Sequence, residues 1–344
     1  MQRDSLVELP ERLAHPGSLA RGRYLLAIDG GATKTLAAVL DLDGRCVHLA
    51  EGGPSNEDAV GSKAAVDALL HVATGAMQSA GIDERELATA VLAVAGTDTD
   101  AIARQVHAAR SDDWIVVNDV VGAWAVATGA RAGVGAISGT GSNVFGVGHD
   151  ARAWRVGGWG HLLGDEGSGY WLGIASIRAA LADRDGSGPP TALSDAIVEF
   201  FDAPSVEALA ARVYSKPLTK GEIASFATET GRLADAGDAV ACELYTRGAR
   251  ELAGQILTVI SHTGLGVDGA EFPVGLIGSA YKAGAVFIDP LVAAVQKHAP
   301  SARIETVELA PVGGGLQLAA RACGCAEEIR PDELARLIDA ARVD

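Results

Sequence analysis

Two glycine-rich segments of this chain have the residue types that bind phosphate. They are residues 29–35 (DGGATKT) and residues 139–143 (GTGSN), and each lies between two short apolar runs. Glycine tolerates positive φ and leaves the N–H groups of a turn accessible, so such turns bind anions. The repeated order of strand, glycine turn and strand indicates a duplicated unit. Two such turns facing each other would hold a polyphosphate, as a two-lobed phosphotransferase requires.

The first segment adds a carboxylate and a cation to its glycines. Its candidate phosphate-binding residues are Gly30, Gly31, Thr33 and Lys34, and Asp29 precedes them. A carboxylate here would hold a hydrated Mg²⁺, which prefers few carboxylates and several waters. Thr33 would donate to a phosphate oxygen, and Lys34 would add positive charge. A plain Asp-Gly hairpin with a surface lysine explains the same residues equally well.

A second candidate carboxylate, Asp119, follows a buried-strand pattern and begins a helical one. In a cleft between the two copies it could accept a hydroxyl proton while that oxygen attacks the γ-phosphate. For an isolated aspartate at a helix start, an N-cap is the more common role. The sequence by itself leaves both interpretations standing.

The least ordinary stretch is residues 157–169 (GGWGHLLGDEGSG). So many glycines favour neither helix nor strand. Trp159 and Asp165 lie among them and offer an aromatic surface and a polar acceptor to a polyhydroxyl ligand. The alternative is a structural loop that ends in a helix cap.

Further glycine turns occur at residues 274–279 (VGLIGS) and 311–315 (PVGGG). They would let an adenine ring and a ribose lie against the backbone. Tight connections between strand and helix are the alternative explanation of both. Asn56 follows a third apolar run and by itself indicates only turn chemistry.

The elements that must position these residues follow an α/β pattern with mixed sheets. Apolar periodicity predicts the order β-β-β-α-β-α-β-α, which restarts near residue 134 and is interrupted by a mostly helical insertion at about 189–266. Ligands of such sheets bind at the carboxyl ends of strands. The predicted parts are a mobile extension over 1–22, one lobe over 23–131, a second over 132–330 and a C-terminal helix within 331–344.

Composition narrows the functional class. The chain has 344 residues, which suits two domains, and a net charge of −16, which opposes binding to a nucleic-acid backbone. No apolar run approaches the roughly 20 residues that span a bilayer, and residues 1–22 lack the apolar centre of a signal peptide. The four cysteines are too few for a disulfide framework. We therefore expect a cytoplasmic protein with a small-molecule substrate and neither a nucleic-acid nor a membrane partner.

Together these motifs resemble the superfamily of sugar kinases, actin and heat-shock chaperone ATPases. More closely they resemble the N-acetylglucosamine kinase branch of the BadF/BadG/BcrA/BcrD ATPase family. The resemblance runs from about residue 24 to 323, with phosphate motifs at 29–35 and 139–143, an adenosine motif at 276–279 and a sugar loop at 157–171. It implies an α/β, two-lobed actin-like ATPase fold with duplicated ribonuclease H-like βββαβαβα domains and an interlobe active-site cleft.

The resemblance also implies the reaction and roles for individual residues. ATP, with Mg²⁺ at Asp29, would phosphorylate the 6-hydroxyl of N-acetylglucosamine or glucosamine, and Asp119 would be the general base. The expected ATP and phosphate contacts are Gly30, Gly31, Thr33, Lys34, Gly139, Thr140, Gly141, Gly278, Ser279 and Gly314. The expected sugar contacts are Asn56, Asp119, Thr140, Asn143, Gly158, Trp159 and Asp165.

Several alternatives stay open. Relatives with animal-type specificity often have alanine in place of Gly169, so the preference between an acetylated and a free amino group stays unassigned. N-acetylmuramic acid or another hexose is an alternative substrate. A reductase-activating ATPase would share both phosphate motifs, but the cysteines match its iron–sulfur site poorly. A repressor-containing sugar-kinase family would carry a cysteine-rich zinc loop, and a sugar sensor would need no base. Dimers are frequent in the resembled family, although no segment here demands a homodimer interface.

Overall fold

The structure is a computed structural model that describes residues 9–17, 22–31, 33–96, 99–110, 113–215 and 218–342. Ala32 of the first glycine turn lies outside the described residues, as do residues 1–8 and 18–21 of the expected extension. The strands are β1 (Tyr24–Gly30), β2 (Thr35–Asp41), β3 (Cys46–Gly52), β4 (Leu87–Val94), β5 (Trp114–Asn118), β6 (Gly133–Ser138), β7 (Ser142–Val147), β8 (Ala153–Gly157), β9 (Phe272–Ile277) and β10 (Ala302–Thr306).

Helices follow or separate these strands in the predicted alternation, which confirms the α/β class. They are α1 (Glu11–Ala14), α2 (Glu57–Val60), α3 (Ser62–Ala80), α4 (Thr99–Ala109), α5 (Asp119–Thr128), α6 (Gly169–Arg184), α7 (Leu193–Phe200), α8 (Val206–Ser215), α9 (Lys220–Ser225), α10 (Ala227–Asp235), α11 (Ala239–Thr263), α12 (Ala285–Gln296), α13 (Pro311–Ala322) and α14 (Pro331–Ala341). Short 3₁₀ turns lie at Glu84–Glu86, Ser279–Ala283 and Ala326–Glu328. None of the described helices is long and apolar enough to span a bilayer.

The strands form two five-stranded sheets, in the orders β3-β2-β1-β4-β5 and β10-β9-β6-β7-β8. In the first sheet, β1 runs antiparallel to β2 and parallel to β4, and β4 runs parallel to β5. The apolar side chains of helix α3 recur at helical spacing and are buried against this sheet. The helix ends at Gly81, which adopts φ 69°. Burial of its apolar face fixes the sheet that carries the first glycine turn.

Contacts divide the chain into two compact units. The first comprises the described residues up to Gly135, Gly146–Trp154 and those from Val307 onward, and the second comprises Ala136–Phe145 and Arg155–Thr306. The expected second lobe, residues 132–330, includes α13, which groups here with the first unit. The helices α7 to α11 occupy the segment that the sequence predicts as a helical insertion.

The N-terminal segment differs from the mobile extension that the sequence predicts. Residues 9–17 include α1, whose Leu13 is fully buried. Arg321 donates to the Leu13 carbonyl oxygen at 2.6 Å, and Arg12 donates to that of Asp113 at 2.9 Å. The buried Leu13 and the two arginine hydrogen bonds hold this segment in place. The scattered charges of residues 1–22 gave no indication of these contacts in the sequence.

The predicted glycine turn at residues 311–315 is wrong, because helix α13 begins at Pro311. Proline suits the first helical turn, where its missing N–H is not needed. A Cβ on Gly314 would collide with the Gly122 carbonyl oxygen of α5, and one on Gly315 would lie 2.8 Å from the Ala27 Cβ of β1. These glycines therefore allow close packing of α13 on α5 and β1.

Candidate active site

In the first unit, the carboxyl ends of three parallel strands meet at one edge. Gly30 pairs with Val94, and Val94 pairs with Asn118, so β1, β4 and β5 end side by side. The Ala95 N–H donates to the Gly30 carbonyl oxygen at 2.8 Å, and the Asn118 Nδ2 donates to that of Gly96 at 3.2 Å. The two candidate carboxylates, on the last residues of β1 and the first residue of α5, lie at this edge.

Asp119 is an exposed carboxylate at the start of α5. The N-cap is its neighbour Asn118, whose Oδ1 accepts the Val120 N–H at 3.2 Å. The sequence left open whether Asp119 is the N-cap, and in the structure Asn118 is the N-cap instead.

Asp29 is a half-buried carboxylate with an unfavourable electrostatic environment. Burial is the largest cause that raises its pKa to about 6, and the negative charge of Asp119 raises it further, whereas Lys34 lowers it. Two carboxylates near enough to repel each other fit a divalent cation. Among the described residues, no group of three or more Asp, Glu, His or Cys side chains could hold a metal. A cation at this edge would therefore take most of its ligands from water and phosphate, which suits Mg²⁺.

The first glycine turn is closed by its own backbone and held by a buried hydroxyl pair. The Gly31 N–H donates to the Lys34 carbonyl oxygen at 3.1 Å, and the Ser55 N–H donates to the Gly31 oxygen at 3.0 Å. Beneath the turn, the Thr35 Oγ1 donates to the Ser55 Oγ at 2.8 Å. These bonds bring the segment that carries Asn56 to the base of the turn.

The two polar side chains of the first turn point to water. Thr33 is exposed, and Lys34 is 58% exposed and forms an ion pair with Glu51 at 3.1 Å. The ammonium of Lys34 is therefore partly neutralised on the surface, although its charge still reaches Asp29.

In the second unit, a buried ion pair backs the second glycine turn. Asp165 is only 3% exposed; its Oδ1 accepts the Ser142 N–H at 3.2 Å and its Oδ2 accepts from Lys220 Nζ at 2.8 Å. A Cβ on Gly141 would lie 2.8 Å from Asp165 Oδ2 and 3.0 Å from Lys220 Nζ, so no side chain fits there. The Gly139 N–H donates to the Gly141 carbonyl oxygen at 2.9 Å and closes the turn.

The start of helix α6 is pinned to the same turn. Gly169 donates its N–H to the Gly139 carbonyl oxygen at 2.8 Å, and Tyr170 donates to that of Thr140 at 3.3 Å. A Cβ on Gly169 would lie 3.1 Å from the carbonyl oxygens of both Gly139 and Ala224. An alanine at this position therefore requires the backbone around it to give way.

The predicted sugar residues Asn143 and Gly158 also lie together. The Gly158 N–H donates to the Ser142 carbonyl oxygen at 3.1 Å, and its φ is 72°. A Cβ on Gly158 would lie 2.5 Å from the Asn143 Nδ2. Trp159 is 57% exposed, with the Arg155 guanidinium 5.6 Å from its ring centre.

A cavity of about 450 Å³ in the second unit is lined by the second turn and by helices α9, α10 and α11. Gly139, Thr140 and Ser279 all line it, so the structure brings these predicted nucleotide residues together. Gly278 has φ 121°, and a Cβ there would collide with the Ser138 carbonyl oxygen, so only glycine lets β9 end this close to β6. Glycines and alanines of α9, α10 and the 3₁₀ turn form part of its wall, and Arg232, Asp235, Tyr245 and Lys282 complete it.

Gly314 is a residue of the first unit and does not line this cavity. It is buried in α13, where its missing side chain allows the approach of α5. Helix packing accounts for this glycine, and the nucleotide contact expected at Gly314 stays a prediction.

The sequence did not predict three polar residues close to these groups. Lys220 pairs with Asp165 across 55 residues, Gln255 of α11 bonds Glu166 across 89 residues, and Lys282 lines the cavity. Only the capping pattern Thr219 to Glu222, which starts α9, is visible in the sequence near Lys220. That pattern predicts the start of a helix but not the ion pair between Lys220 and Asp165, which are 55 residues apart.

The chain is similar to several known proteins. The family model described as the BadF/BadG/BcrA/BcrD ATPase family matches residues 26–315. The N-acetylmuramic acid/N-acetylglucosamine kinase of Clostridium acetobutylicum is 34% identical over 243 residues, which are 69% of this chain and 79% of that protein. The N-acetyl-D-glucosamine kinase of Dictyostelium discoideum is 28% identical over 313 residues, which are 86% of this chain and 97% of that protein.

The fold has a counterpart among solved structures. A Chromobacterium violaceum protein provisionally assigned as an N-acetylglucosamine kinase superposes with a TM-score of 0.66 at 24% identity, covering 87% of this chain and 99% of that chain. At this identity the likeness bears on the fold, and it confirms the predicted fold class of sugar kinases and actin-like ATPases. With a family match over residues 26–315 and a relative above 30% identity, the chain is a member of the BadF/BadG/BcrA/BcrD ATPase family.

Proposed function

We propose that this chain transfers the γ-phosphate of ATP to the 6-hydroxyl of an amino sugar, N-acetylglucosamine or glucosamine, with Asp119 as general base. Membership of an ATPase family, with amino-sugar kinases among the relatives, supports an ATP-dependent carbohydrate kinase. The choice of hydroxyl and of base rests on the resemblance and on the position of Asp119.

The observation that carries the proposal is the exposed Asp119 carboxylate beside Asp29 at the carboxyl edge of β1, β4 and β5. Asn118 caps the helix, so the cap does not account for Asp119. In the reaction, Asp119 accepts the proton of the sugar hydroxyl as that oxygen forms a bond to the γ-phosphorus. The bond between the γ-phosphorus and the bridging oxygen breaks, and ADP leaves. A positioned base of this kind contributes roughly 10²–10⁴ in rate.

Asp29 is the residue that would hold Mg²⁺. When bound, the cation supplies positive charge that neutralises the phosphate oxygens during transfer. Burial and, after it, the like charge of Asp119 raise the pKa of Asp29, and this supports the assignment, since a cation would offset both. Asp29 itself would orient the water shell of the ion.

The two glycine turns would bind the polyphosphate. Gly30, Gly31, Thr33 and Lys34 in the first turn, and Gly139, Thr140 and Gly141 in the second, would donate N–H groups, a hydroxyl and a charge. The cavity that Gly139, Thr140 and Ser279 line would take the nucleotide, with Gly278 at its edge.

The proposed sugar contacts are Asn56, Asp119, Thr140, Asn143, Gly158, Trp159 and Asp165. Because Lys220 and the Ser142 N–H hold Asp165 in one position, its carboxylate is preorganised to accept sugar hydroxyls.

ADP release with Mg-ATP tests the proposal directly. The sugars are glucosamine, N-acetylglucosamine, N-acetylmuramic acid, N-acetylmannosamine and glucose, with a reaction without sugar as control. We expect turnover that depends on an amino sugar. Sugar-independent hydrolysis would favour an activator ATPase, and no turnover with any of them would refute the amino-sugar assignment.

A further inference from the structure

Two buried hydrogen-bond acceptors beside the sugar loop have no donor. They are the Asn143 Oδ1 and the Gln255 Oε1. Buried polar side-chain atoms nearly always have a partner, so a pair of orphaned acceptors in one place needs a cause. Asn143 belongs to the proposed sugar site, whereas Gln255 has no role in the proposed reaction.

Both amides converge on the turn at Gly157 and Gly158. A Cβ on Gly157 would lie 2.9 Å from the Gln255 Oε1 and 3.7 Å from the Asn143 Cα. A Cβ on Gly158 would lie 3.2 Å from the Asn143 Oδ1. The absence of side chains on this turn therefore lets both orphaned acceptors lie against it.

Gln255 is held in this place by a neighbour. It projects from α11, and its Nε2 donates to the Glu166 Oε2 at 3.3 Å. Because Nε2 is used in that bond, the amide presents Oε1 as its unused group. Glu166 follows Asp165, so Gln255 is tied to the same loop as the buried ion pair.

We propose that Gln255 is a sugar-contacting residue that, with Asn143, determines which amino sugar binds. Its Oε1 accepts a hydrogen bond from a donor on the ligand, a hydroxyl or an amine or amide N–H. This inference rests on the proposed function. A site built around buried acceptors rejects an analogue that lacks the matching donor, because the acceptor is then left unpaired in a dehydrated site.

The substitution Gln255→Met tests the inference, because methionine has a similar shape and no acceptor. We expect the KM for the amino sugar to rise about tenfold, the worth of one neutral hydrogen bond, with the KM for ATP unchanged. The variant also loses the bond from the Gln255 Nε2 to Glu166, so the Tm without sugar should fall slightly whether or not Gln255 contacts the sugar. The inference predicts in addition that the sugar-induced increase in Tm shrinks.

A purely structural glutamine would give a different result for the sugar. Loss of its bond to Glu166 would lower the Tm without sugar, but the sugar KM would stay unchanged, and an unchanged sugar KM would overturn the inference. Gln296→Met, at an exposed position at the end of α12, is the matched control and should change neither quantity.

Monodeoxy analogues of the preferred sugar identify the donor. The wild type should lose affinity for one analogue, and Gln255→Met should not distinguish that analogue from the parent sugar. If the variant discriminates among all analogues as the wild type does, the inference fails while the proposed function stands. If the wild type shows neither sugar-dependent turnover nor a sugar-induced rise in Tm, the proposed function fails and the inference fails with it.

Discussion

The two glycine turns of this chain have opposite electrostatic surroundings. Beside the first turn, Asp29 and Asp119 are like charges, and the partly buried Asp29 has its pKa raised to about 6 by burial and by that neighbour. Beside the second turn, Asp165 is more completely buried, yet an ammonium at 2.8 Å and a backbone N–H at 3.2 Å satisfy it.

The difference shows that burial alone does not set the cost of a carboxylate. A buried charge with a hydrogen-bonded partner is stabilised, and one beside a like charge is destabilised until a cation arrives. Asp165, beside the second turn, is thus electrostatically satisfied before any ligand binds. Asp29, beside the first turn, is not, which is why we propose the cation site there.

The largest expected effect falls on the charged edge of the first unit. Asp119→Asn removes the proposed base and keeps the shape, so we expect kcat to fall roughly 10²–10⁴-fold. Binding of ATP, followed by calorimetry, should be unchanged. A variant with wild-type kcat would show that Asp119 is not the base.

The ion pair of the second unit should matter for folding as well as for the sugar. Lys220→Met leaves the Asp165 carboxylate buried without its cation. Because Lys220 is 34% exposed, we expect a loss below that of a fully buried pair, about 2–3 kcal/mol of unfolding free energy. Urea unfolding measures this loss. Lys220→Met combined with Asp165→Asn should recover part of it; equal instability in the single and double variants would mean that no electrostatic coupling exists.

In the first unit, removing the charge of Asp29 should raise the free energy of unfolding, whereas Lys220→Met lowers it. A carboxyl with a raised folded pKa contributes stability at pH values below its unfolded pKa of about 4, and that stability is lost as pH rises through about 6. Asp29→Asn should therefore stabilise the protein at pH 8 by about 3 kcal/mol, and the gain should vanish near pH 4.

Urea unfolding between pH 4 and pH 8 measures this difference between Asp29→Asn and the wild type. Mg²⁺ at pH 8 should stabilise the wild type and not the variant. A variant less stable than the wild type at pH 8 would contradict the like-charge description.

The smallest effect is expected at Lys34, whose ion pair with Glu51 is exposed on both sides. Exposed pairs contribute about 0–1 kcal/mol, so Lys34→Met should leave the unfolding free energy nearly unchanged. Its charge beside the first turn should still matter for phosphate, and we expect a higher KM for ATP. An unchanged KM would remove Lys34 from the proposed phosphate contacts.

Local signals predicted much of the fold. Apolar periodicity and glycine positions gave correct strands around both turns, and the helix that Gly81 ends is α3. The same logic failed at residues 311–315, where glycine serves helix packing. Apolar periodicity indicates which face of an element is buried. It does not distinguish a glycine that forms a turn from one that allows another helix to pack closely.

The candidate site could be predicted only in part. The sequence singles out Asp119 but cannot decide between it and Asn118 as the cap, since both types cap helices. Lys220 and Gln255 were missed because their partners are 55 and 89 residues away. Only the folded chain brings such residues together.

The position of the transferred phosphate tests the central claim most directly. Phosphorus-31 NMR of the product formed from Mg-ATP and the preferred amino sugar resolves it. The account predicts a phosphorus nucleus coupled to the two protons on carbon 6. A phosphate on another carbon, or free inorganic phosphate as the sole product, would contradict it.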